Sequence, residues 1–438
     1  MFSQVLVVSG SVGLEMVVKR RHELAGFLAV MALYCVPFAF GFLNFEFGTG
    51  LALWGIASWL ALEKRSFLTR LTVHSLFVLC IFASHLVALG LYGATIGFYE
   101  LYCIRFRKFD AKQKTLTFLL LASPALVLFG YVVLSGGQTW NGNIEWDAAN
   151  KVRSITKVFN GYSVPISAVN FIAVFMLVYV LFRTRSLKIM PQGKWIAGGL
   201  LLVFLAVPFQ ALGGTFSEVR VMIAAILIMP AFLVFRPTSH VTRYLLPLAL
   251  SVIALLNAGH VATIWLTYQP EYDRLKASFL RIERGAFVLI GRSSESSGPL
   301  DDLTEKPILH APVLAAHYVN AFVPSLFTIP GQYVLQVRPE LKHLNIAATI
   351  FYEPVPIVVL EEILNGRLQA DLPSHVRCWM DDYDYLYLVG PQGRNPIPSR
   401  LTALAAGERF ALYRIIRSPR GTAFGNMPAC GKADDGSG

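Results

Sequence analysis

The stretch RYLLPLALSVIALLNAGHVATIWLTYQPEYDRLKASFLRIER, residues 243–284, decides how the chain is read. Its first part, Tyr244–Thr267, is 24 residues without one Asp, Glu, Lys or Arg. That is enough to cross about 30 Å of hydrocarbon at about 1.5 Å per residue. From Glu271 the charges return while the apolar positions keep a helical period, the pattern of a helix in water. Upstream, the chain is a series of apolar runs separated by short clusters of Lys and Arg; downstream, it has ordinary mixed polarity over about one domain's length. The expected fold is a polytopic α-helical membrane protein with a C-terminal, extracytoplasmic α/β domain. Its expected divisions are an N-terminal segment over 1–23, a transmembrane domain over 24–268 and the soluble domain over 269–438.

Composition agrees, with 55% hydrophobic residues, 15% charged residues and a mean hydropathy of +0.54. Residues 1–267 hold 21 Lys and Arg against 9 Asp and Glu, whereas residues 268–438 hold 17 against 18. The net charge of +11 therefore belongs to the apolar part. Of its 21 basic residues, 17 fall in five clusters: Lys19–Arg21, Lys64–Arg70, Arg105–Lys114, Arg183–Lys194 and Arg236–Arg243. Such clusters stay in the cytoplasm because carrying them across a bilayer is unfavourable. No aromatic-interleaved basic surface or zinc-finger spacing accompanies them, which argues against a nucleic-acid partner.

With the clusters inside, about nine passes follow. Leu24–Phe45 and Phe47–Leu62 form a hairpin turning near Asn44-Phe45-Glu46. Leu71–Ile104, 34 residues long with basic clusters at both ends, is read as two short passes turning near Gly90-Leu91-Tyr92-Gly93. Thr115–Ser135, Tyr162–Phe182, Trp195–Leu212, Val219–Phe235 and Tyr244–Thr267 complete the set, leaving the C-terminal domain outside the cytoplasm. Met1–Val18 is apolar but interrupted by Gly10, Gly13 and Glu15, and is either a span or the remnant of one. Between Ser135 and Tyr162, the helical spacing of Ala148, Val152, Ile155 and Phe159 predicts a helix on the outer leaflet. Lys151 and Arg153 lie among these positions, so this is either a connecting helix or a wall of a site for a lipid-linked substrate.

In the C-terminal domain, Ala286–Ile290, Tyr333–Val337, Tyr385–Val389 and Phe410–Ile416 read as strands. Glu271–Arg284, Val313–Phe322, Val358–Asn365 and Ser399–Ala406 read as helices, so the expected sheet is largely parallel. The domain carries no GxGxxG, P-loop or GxSxG motif, and His310 with His317 lacks a third metal ligand. Cys35, Cys80 and Cys103 read as small buried hydrophobes. Cys378 and Cys430 are the two that an oxidising compartment would allow to pair.

Ionisable groups in or beside the apolar runs are the candidates for chemistry. Glu46 and Glu218 are candidate catalytic carboxylates, and Arg220 is a candidate for binding a lipid phosphate, with His85, Lys151 and Arg153 as weaker partners. The plainer readings are an Arg220–carboxylate ion pair joining two helix ends and an interhelical hydrogen bond at His85. Asn44, Asn170, Gln210, Asn257 and His260 read as helix-packing residues.

Phe40-Gly41-Phe42-Leu43-Asn44-Phe45 followed by Gly48-Thr49-Gly50-Leu51-Ala52-Leu53 resembles a segment of bacterial polytopic proteins in the GT-C glycosyltransferase superfamily. So do His85 in an apolar run ending at Tyr99-Glu100-Leu101, Glu218-Val219-Arg220 at the opening of a span, and the pair Asp384–Leu388 and Phe410–Ile415 near the C-terminus. The resemblance implies the bacterial inner (cytoplasmic) membrane and transfer of a sugar from a polyprenyl-phosphate carrier at its outer face, in envelope or exopolysaccharide assembly. It implies membrane lipid and the polyprenyl-phosphate sugar as partners. It requires no certain cofactor, and a divalent metal is compatible with it. The family's acidic outer loop is expected before the Phe40 motif, where this chain has only about forty residues. The expectation is that the N-terminal catalytic-loop region is lacking, so the family's catalytic carboxylate carries over to no residue here. The alternatives are a non-catalytic membrane subunit that binds lipid or a partner membrane protein, and a transporter.

Overall fold

The computed structural model describes residues 2–106, 110–134, 144, 146–209, 216–237, 240–293, 308–326, 337–344, 354–366, 374–390 and 395–417. The chain is mostly helical and divides into two compact units within one long helix, at Thr263–Ile264. The first unit holds α1 (Phe2–Lys19), α2 (Ala25–Ala32), α3 (Val36–Ala39), α4 (Leu43–Ala61), α5 (Phe67–Ser84), α6 (Leu86–Phe106), α7 (Ala111–Leu134), α8 (Ala148–Ile155), α9 (Val164–Arg183), α10 (Pro191–Ala206) and α11 (Ser217–Ile228). Strands β1 (Leu187–Ile189) and β2 (Leu233–Phe235) pair antiparallel, and α12 (His240–Ser278) leads into the second unit. Among the described residues, five helices are long and apolar enough to cross a membrane: α1, α5, α6, α9 and α12 with its 3-10 extension.

The interruptions in the N-terminal segment have a packing explanation. A Cβ on Gly10 would meet Leu53 and the carbonyl of Gly50, one on Gly13 would meet Trp54, and one on Gly50 would meet Leu6. Glycines on both partners thus let α1 lie parallel to and close against α4. Glu15 is fully buried, and its carboxylate accepts the backbone N–H groups of Glu23, Leu24 and Ala25 at 2.8, 3.1 and 3.4 Å. It therefore satisfies the N-terminus of α2, whose own cap residue offers no side chain. Lys19 bridges Glu15 and Glu23 at 2.8 Å each, and Glu23 accepts the N–H of Phe235 at 3.1 Å. The clusters at Lys19–Arg21, Arg183–Lys194 and Arg236 are thus tied together by one carboxylate and the β1–β2 ribbon.

The long segment 71–104 is two helices, as expected, but the turn is at His85 and not at Gly90–Gly93. His85 is extended (φ −165°, ψ 123°), and its Nδ1 accepts the N–H of Val87 at 3.1 Å, capping α6. The Ser84 hydroxyl donates to the carbonyl of Cys80 at 2.7 Å at the end of α5. With both helix ends satisfied, the reversal needs no glycine; Gly90 and Gly93 lie inside α6 with open space around them. Gly48 of α4 faces Ser84, His85 and Ala88, and Gly55 faces Phe77 and Tyr92 together, so α5 and α6 run back to back along α4. At the far end Arg70 reaches Glu100 at 3.4 Å.

Other boundaries differ from the sequence reading. Asn44, Phe45 and Glu46 are not a turn but the first turn of α4; the turn is Phe40–Phe42, where Gly41 has φ +78°. Leu24–Phe45 is not one helix, because the chain breaks between Ala32 and Val36 ahead of Pro37. Gly161 fills the break, donating to the Tyr34 carbonyl at 2.7 Å, where any Cβ would strike Ala39 and the Cys35 carbonyl. Val219–Phe235 is likewise divided into α11, a 3-10 turn and β2. Cys35 and Cys103 are buried as expected, but Cys80 is exposed on α5.

Asn257 of α12 joins the break to two other helices. Its Nδ2 donates to the carbonyls of Phe159 (2.8 Å) and Met31 (3.4 Å), and its Oδ1 accepts from Asn160 (2.8 Å) and Asn170 (3.2 Å). Every donor and acceptor of the amide is used. Asn170, Asn257 and His260, which lies 3.2 Å from the Asn160 amide, therefore pack helices as expected.

The second unit is a three-layer α/β arrangement. Its sheet holds β3 (Val288–Arg292), β4 (Val355–Pro356), β5 (Tyr385–Val389), β6 (Leu401–Ala406) and β7 (Phe410–Ile415), in the order β4-β3-β5-β7-β6. One face packs on Leu275, Phe279 and Ile282 at the end of α12 and on α13 (Ala315–Val319); the other packs on α14 (Ile357–Leu364), α15 (Ser374–Arg377) and α16 (Trp379–Asp382). Coverage on both faces explains why β3 and β5 are apolar runs without alternation. The sheet is mixed and not largely parallel: β3 pairs in parallel with β4 and β5, while β7 is antiparallel to β5 and β6. The difference arises at Ser399–Ala406, expected as a helix. Its alanines favour that form, but Gly407-Glu408-Arg409 turns the chain back and β7 captures it as an edge strand. The Val313–Phe322 helix shortens to α13 behind a 3-10 turn, and Phe322 bridges to Phe287. The expected Tyr333–Val337 strand lies almost wholly outside the described residues. Cys378 is disulfide-bonded, and Cys430 lies outside the described residues.

Two predictions follow from this packing. Asn257→Ala strands two carbonyls and two amide donors, and should lower stability by about 2 kcal/mol or more, read as a fall in the melting temperature of the first unit. His375, 4% exposed, is pushed by burial from its ordinary 6.5 down to about 4. Between those values the unfolded chain takes up a proton that the folded one refuses. Stability is therefore whole above pH 6.5 and falls by about 3 kcal/mol as pH drops to 4. Hydrogen exchange at Tyr385–Val389, corrected for intrinsic rates, should report this loss, and His375→Gln should flatten it.

Candidate functional site

The expected residues gather at the end of the first unit away from the Lys19 and Arg70 contacts. The first turn of α4 supplies Phe45 and Glu46, the apex of the α5–α6 hairpin supplies His85, and the first turn of α11 supplies Glu218 and Arg220. Phe216, which precedes α11, is left-handed (φ 60°), so this helix starts from an abrupt turn.

Arg220 is 4% exposed, and its guanidinium carbon lies 5.0 Å from the centre of the Phe42 ring and 5.5 Å from that of Phe45. His85 meets Phe45 edge to face at 5.3 Å, and the charge of Arg220 acts on its ring. Phe40 contacts Phe42 at 6.2 Å and Phe216 at 5.1 Å, extending the aromatic wall. A buried cation against ring faces is held by their quadrupoles. An anion arriving there would meet a charge already stripped of water.

The structure does not join the candidate carboxylates to Arg220. Glu46 is 5% exposed, and its hydrogen bond comes from the Ser3 hydroxyl of α1 at 3.4 Å. Glu218 is fully buried with neither carboxylate oxygen hydrogen-bonded, and the charged groups facing it are Lys151, Asp147 and Lys157. Arg220 and Glu218, two apart on one helix, point to different surroundings. The expected Arg220–carboxylate tie between helix ends is therefore absent for Glu46 and Glu218.

Lys151 has a different duty from the one expected. α8 is capped by Asp147, whose Oδ1 accepts the N–H of Ala149 at 2.8 Å. From α8, Lys151 donates to the carbonyls of Phe204 (2.8 Å) and Val207 (2.6 Å) at the end of α10, and lies over the rings of Trp146 and Phe204. A cation on open helix carbonyls complements the C-terminal dipole. Arg153 is exposed, as are Val152 and Trp146 beside it.

A second polar group was missed by sequence reasoning. Trp59 donates to Glu100 at 2.8 Å, Arg70 lies 4.3 Å above the Trp59 ring, and Tyr92 donates to His74 Nδ1 at 2.7 Å while His74 Nε2 donates to the Leu121 carbonyl at 3.2 Å. The signal was present: Glu100 is an acid inside an apolar run. Among the described residues, no group of three or more His, Cys, Asp or Glu side chains is placed to hold a metal ion.

Comparison of the whole chain with protein-family models, curated proteins and solved structures finds no match.

Lys151→Met should open the end of α10 and cost about 1–2 kcal/mol, whereas Arg153→Ala should change stability by less than about 0.5 kcal/mol. Parallel thermal melts of the purified variants distinguish the two.

Proposed function

We propose that the chain is a multi-pass protein of the bacterial inner membrane, of about nine passes, that transfers a sugar from a polyprenyl phosphate at the outer face, with Arg220 against the phosphate. The observation that carries this reading is the buried guanidinium of Arg220, lying against the rings of Phe42 and Phe45 at the end of the bundle remote from the basic clusters. Phosphate departure builds negative charge, and a preorganised, water-poor cation stabilises it. Glu46 and Glu218 are the nearby carboxylates with which an acceptor hydroxyl could be activated. The resemblance of the Phe40–Leu53 and Glu218–Arg220 segments to GT-C enzymes supports the same reading.

The orientation has its own support. Glu23 and the β1–β2 ribbon tie three basic clusters together, and the Arg70–Glu100 contact links Lys64–Arg70 to the helix leading into Arg105–Lys114. Because α1 and α4 run parallel, these two groups share one end, as retention in the cytoplasm requires. The C-terminal unit is then extracytoplasmic, and the nine passes besides α1 are α5, α6, α9 and α12 with α4, α7, α10 and the broken helices α2–α3 and α11.

A second reading, a non-catalytic subunit that binds polyprenyl lipid, is favoured by one observation: Glu46 is engaged by Ser3 and neither candidate carboxylate contacts Arg220. Membranes containing the protein and supplied with labelled polyprenyl-phosphate sugar should show turnover, and Arg220→Ala should reduce it about a hundredfold. Binding that Arg220→Ala abolishes, without turnover in either protein, would favour the subunit. Neither binding nor turnover would sink both.

A further inference from the structure

The Arg70 corner is unused by that mechanism, and its geometry is not explained by packing. Arg70 opens α5, Trp59 lies in the last turns of α4, and Glu100 lies near the end of α6, so three helix ends meet there. The side chain of Arg70 is 14% exposed and that of Glu100 is 8% exposed. Their contact, at 3.4 Å, is long for a charge-assisted hydrogen bond. Trp59 already occupies the same carboxylate oxygen at 2.8 Å. The Nε–H of Arg70 is buried and has no hydrogen-bond partner. Arg70 lines, with Trp59, Leu62, His74, Phe77 and Tyr92, a cavity with room for one water-sized group, about 10 Å³.

A guanidinium stacked on an indole, with its inner N–H left open, presents a positive fork and an empty seat the size of one phosphoryl oxygen. Lys64 and Arg65 are exposed in the turn between α4 and α5, following Leu62 of the cavity lining and preceding Arg70 in sequence. The opposing charge at Arg70 is Glu100, and Glu63 lies in the same turn as the two cations. Both ring nitrogens of His74 are engaged within the bundle, Nδ1 at 2.7 Å from the Tyr92 hydroxyl and Nε2 at 3.2 Å from the Leu121 carbonyl.

We infer that this corner seats the phosphate of an anionic phospholipid, one phosphoryl oxygen accepting the Arg70 Nε–H while Lys64 and Arg65 face the rest of the headgroup. The same phosphate chemistry could come from free phosphate, but the seat lies between apolar helices beside an exposed basic turn, where a lipid headgroup is held by its own chains. The inference rests on the membrane reading and is independent of the sugar-transfer reading.

The test uses the full chain extracted from membranes. Native mass spectrometry, with phosphatidylglycerol and diacylglycerol, which has no phosphate, offered in equal amounts, should show phosphatidylglycerol retained at least about fivefold more often. Arg70→Gln with Glu100→Gln removes both charges together, so no buried ion is left alone, and should abolish the preference. Arg70→Lys keeps the ion pair but has no Nε–H, and should lose most of it; Lys64→Gln with Arg65→Gln should lose less. Equal retention of the two lipids by the unaltered protein, or undiminished preference in Arg70→Lys, overturns the inference. So does stabilisation by millimolar inorganic phosphate alone, without lipid preference. A chain that leaves membranes without detergent would instead sink the membrane reading itself, which separates the two failures.

Discussion

A helix that begins away from water must have its first N–H groups accepted by something, and Glu15 does this for α2. One fully buried carboxylate takes three backbone donors, and Lys19 balances its charge while sharing itself with Glu23. Because Glu23 in turn accepts the N–H of Phe235, a single chain of charge-assisted bonds fixes where α1 ends, where α2 begins and where β2 lies. From that anchor, α1 runs against the glycines of α4 and delivers Ser3 to Glu46 at the other end. The place of Glu46 is thus tied to the opposite end of the bundle, through a close approach of α1 and α4 that their glycines allow.

The hairpin at His85 gives the bundle two chemically distinct ends. Each end has an arginine lying on aromatic rings: Arg220 on Phe42 and Phe45, Arg70 on Trp59. The difference lies in the carboxylates. Glu100 is aimed at Arg70 and offsets its charge, whereas neither Glu46 nor Glu218 is aimed at Arg220.

What was legible in the sequence was what averages over many residues. The basic clusters, the two helices within 71–104, the strand at Tyr385–Val389 and the helix at Val358–Asn365 all rest on runs of like residues. Single-residue geometry was not legible. Glycine was read as a turn at Gly90–Gly93 because it breaks helices in water, yet in an apolar helix it is well tolerated, and the reversal fell on a histidine able to cap its own neighbours. Ser399–Ala406 looked helical by propensity, but edge pairing with Phe410–Ile415 overrode it. Of the site, Arg220 with Phe42, Phe45 and His85 was partly foreseen through the residues themselves, though not through their contacts. Lys151 misled because a cation in an amphipathic helix suggests a surface ligand, and nothing local reveals that it reaches the carbonyls of Phe204 and Val207, more than fifty residues away.

The distinction between finished and unfinished polar groups separates scaffold from site more sharply than residue type does. Asn257, Asn160, Glu15, Lys151 and His74 are buried polar residues in an apolar surround, and the bonds each one makes account for its presence. Glu218 is as buried as any of them, yet both its oxygens are open. It stands in the first turn of α11, where the helix dipole favours a negative charge, and Lys151 and Lys157 face it. With Lys151 given to the carbonyls of α10, its field reaches Glu218 without closing on it. In this sense Glu218 is unfinished, drawn by the field of its surroundings without a hydrogen bond to them, where Asn257 and Glu15 are finished.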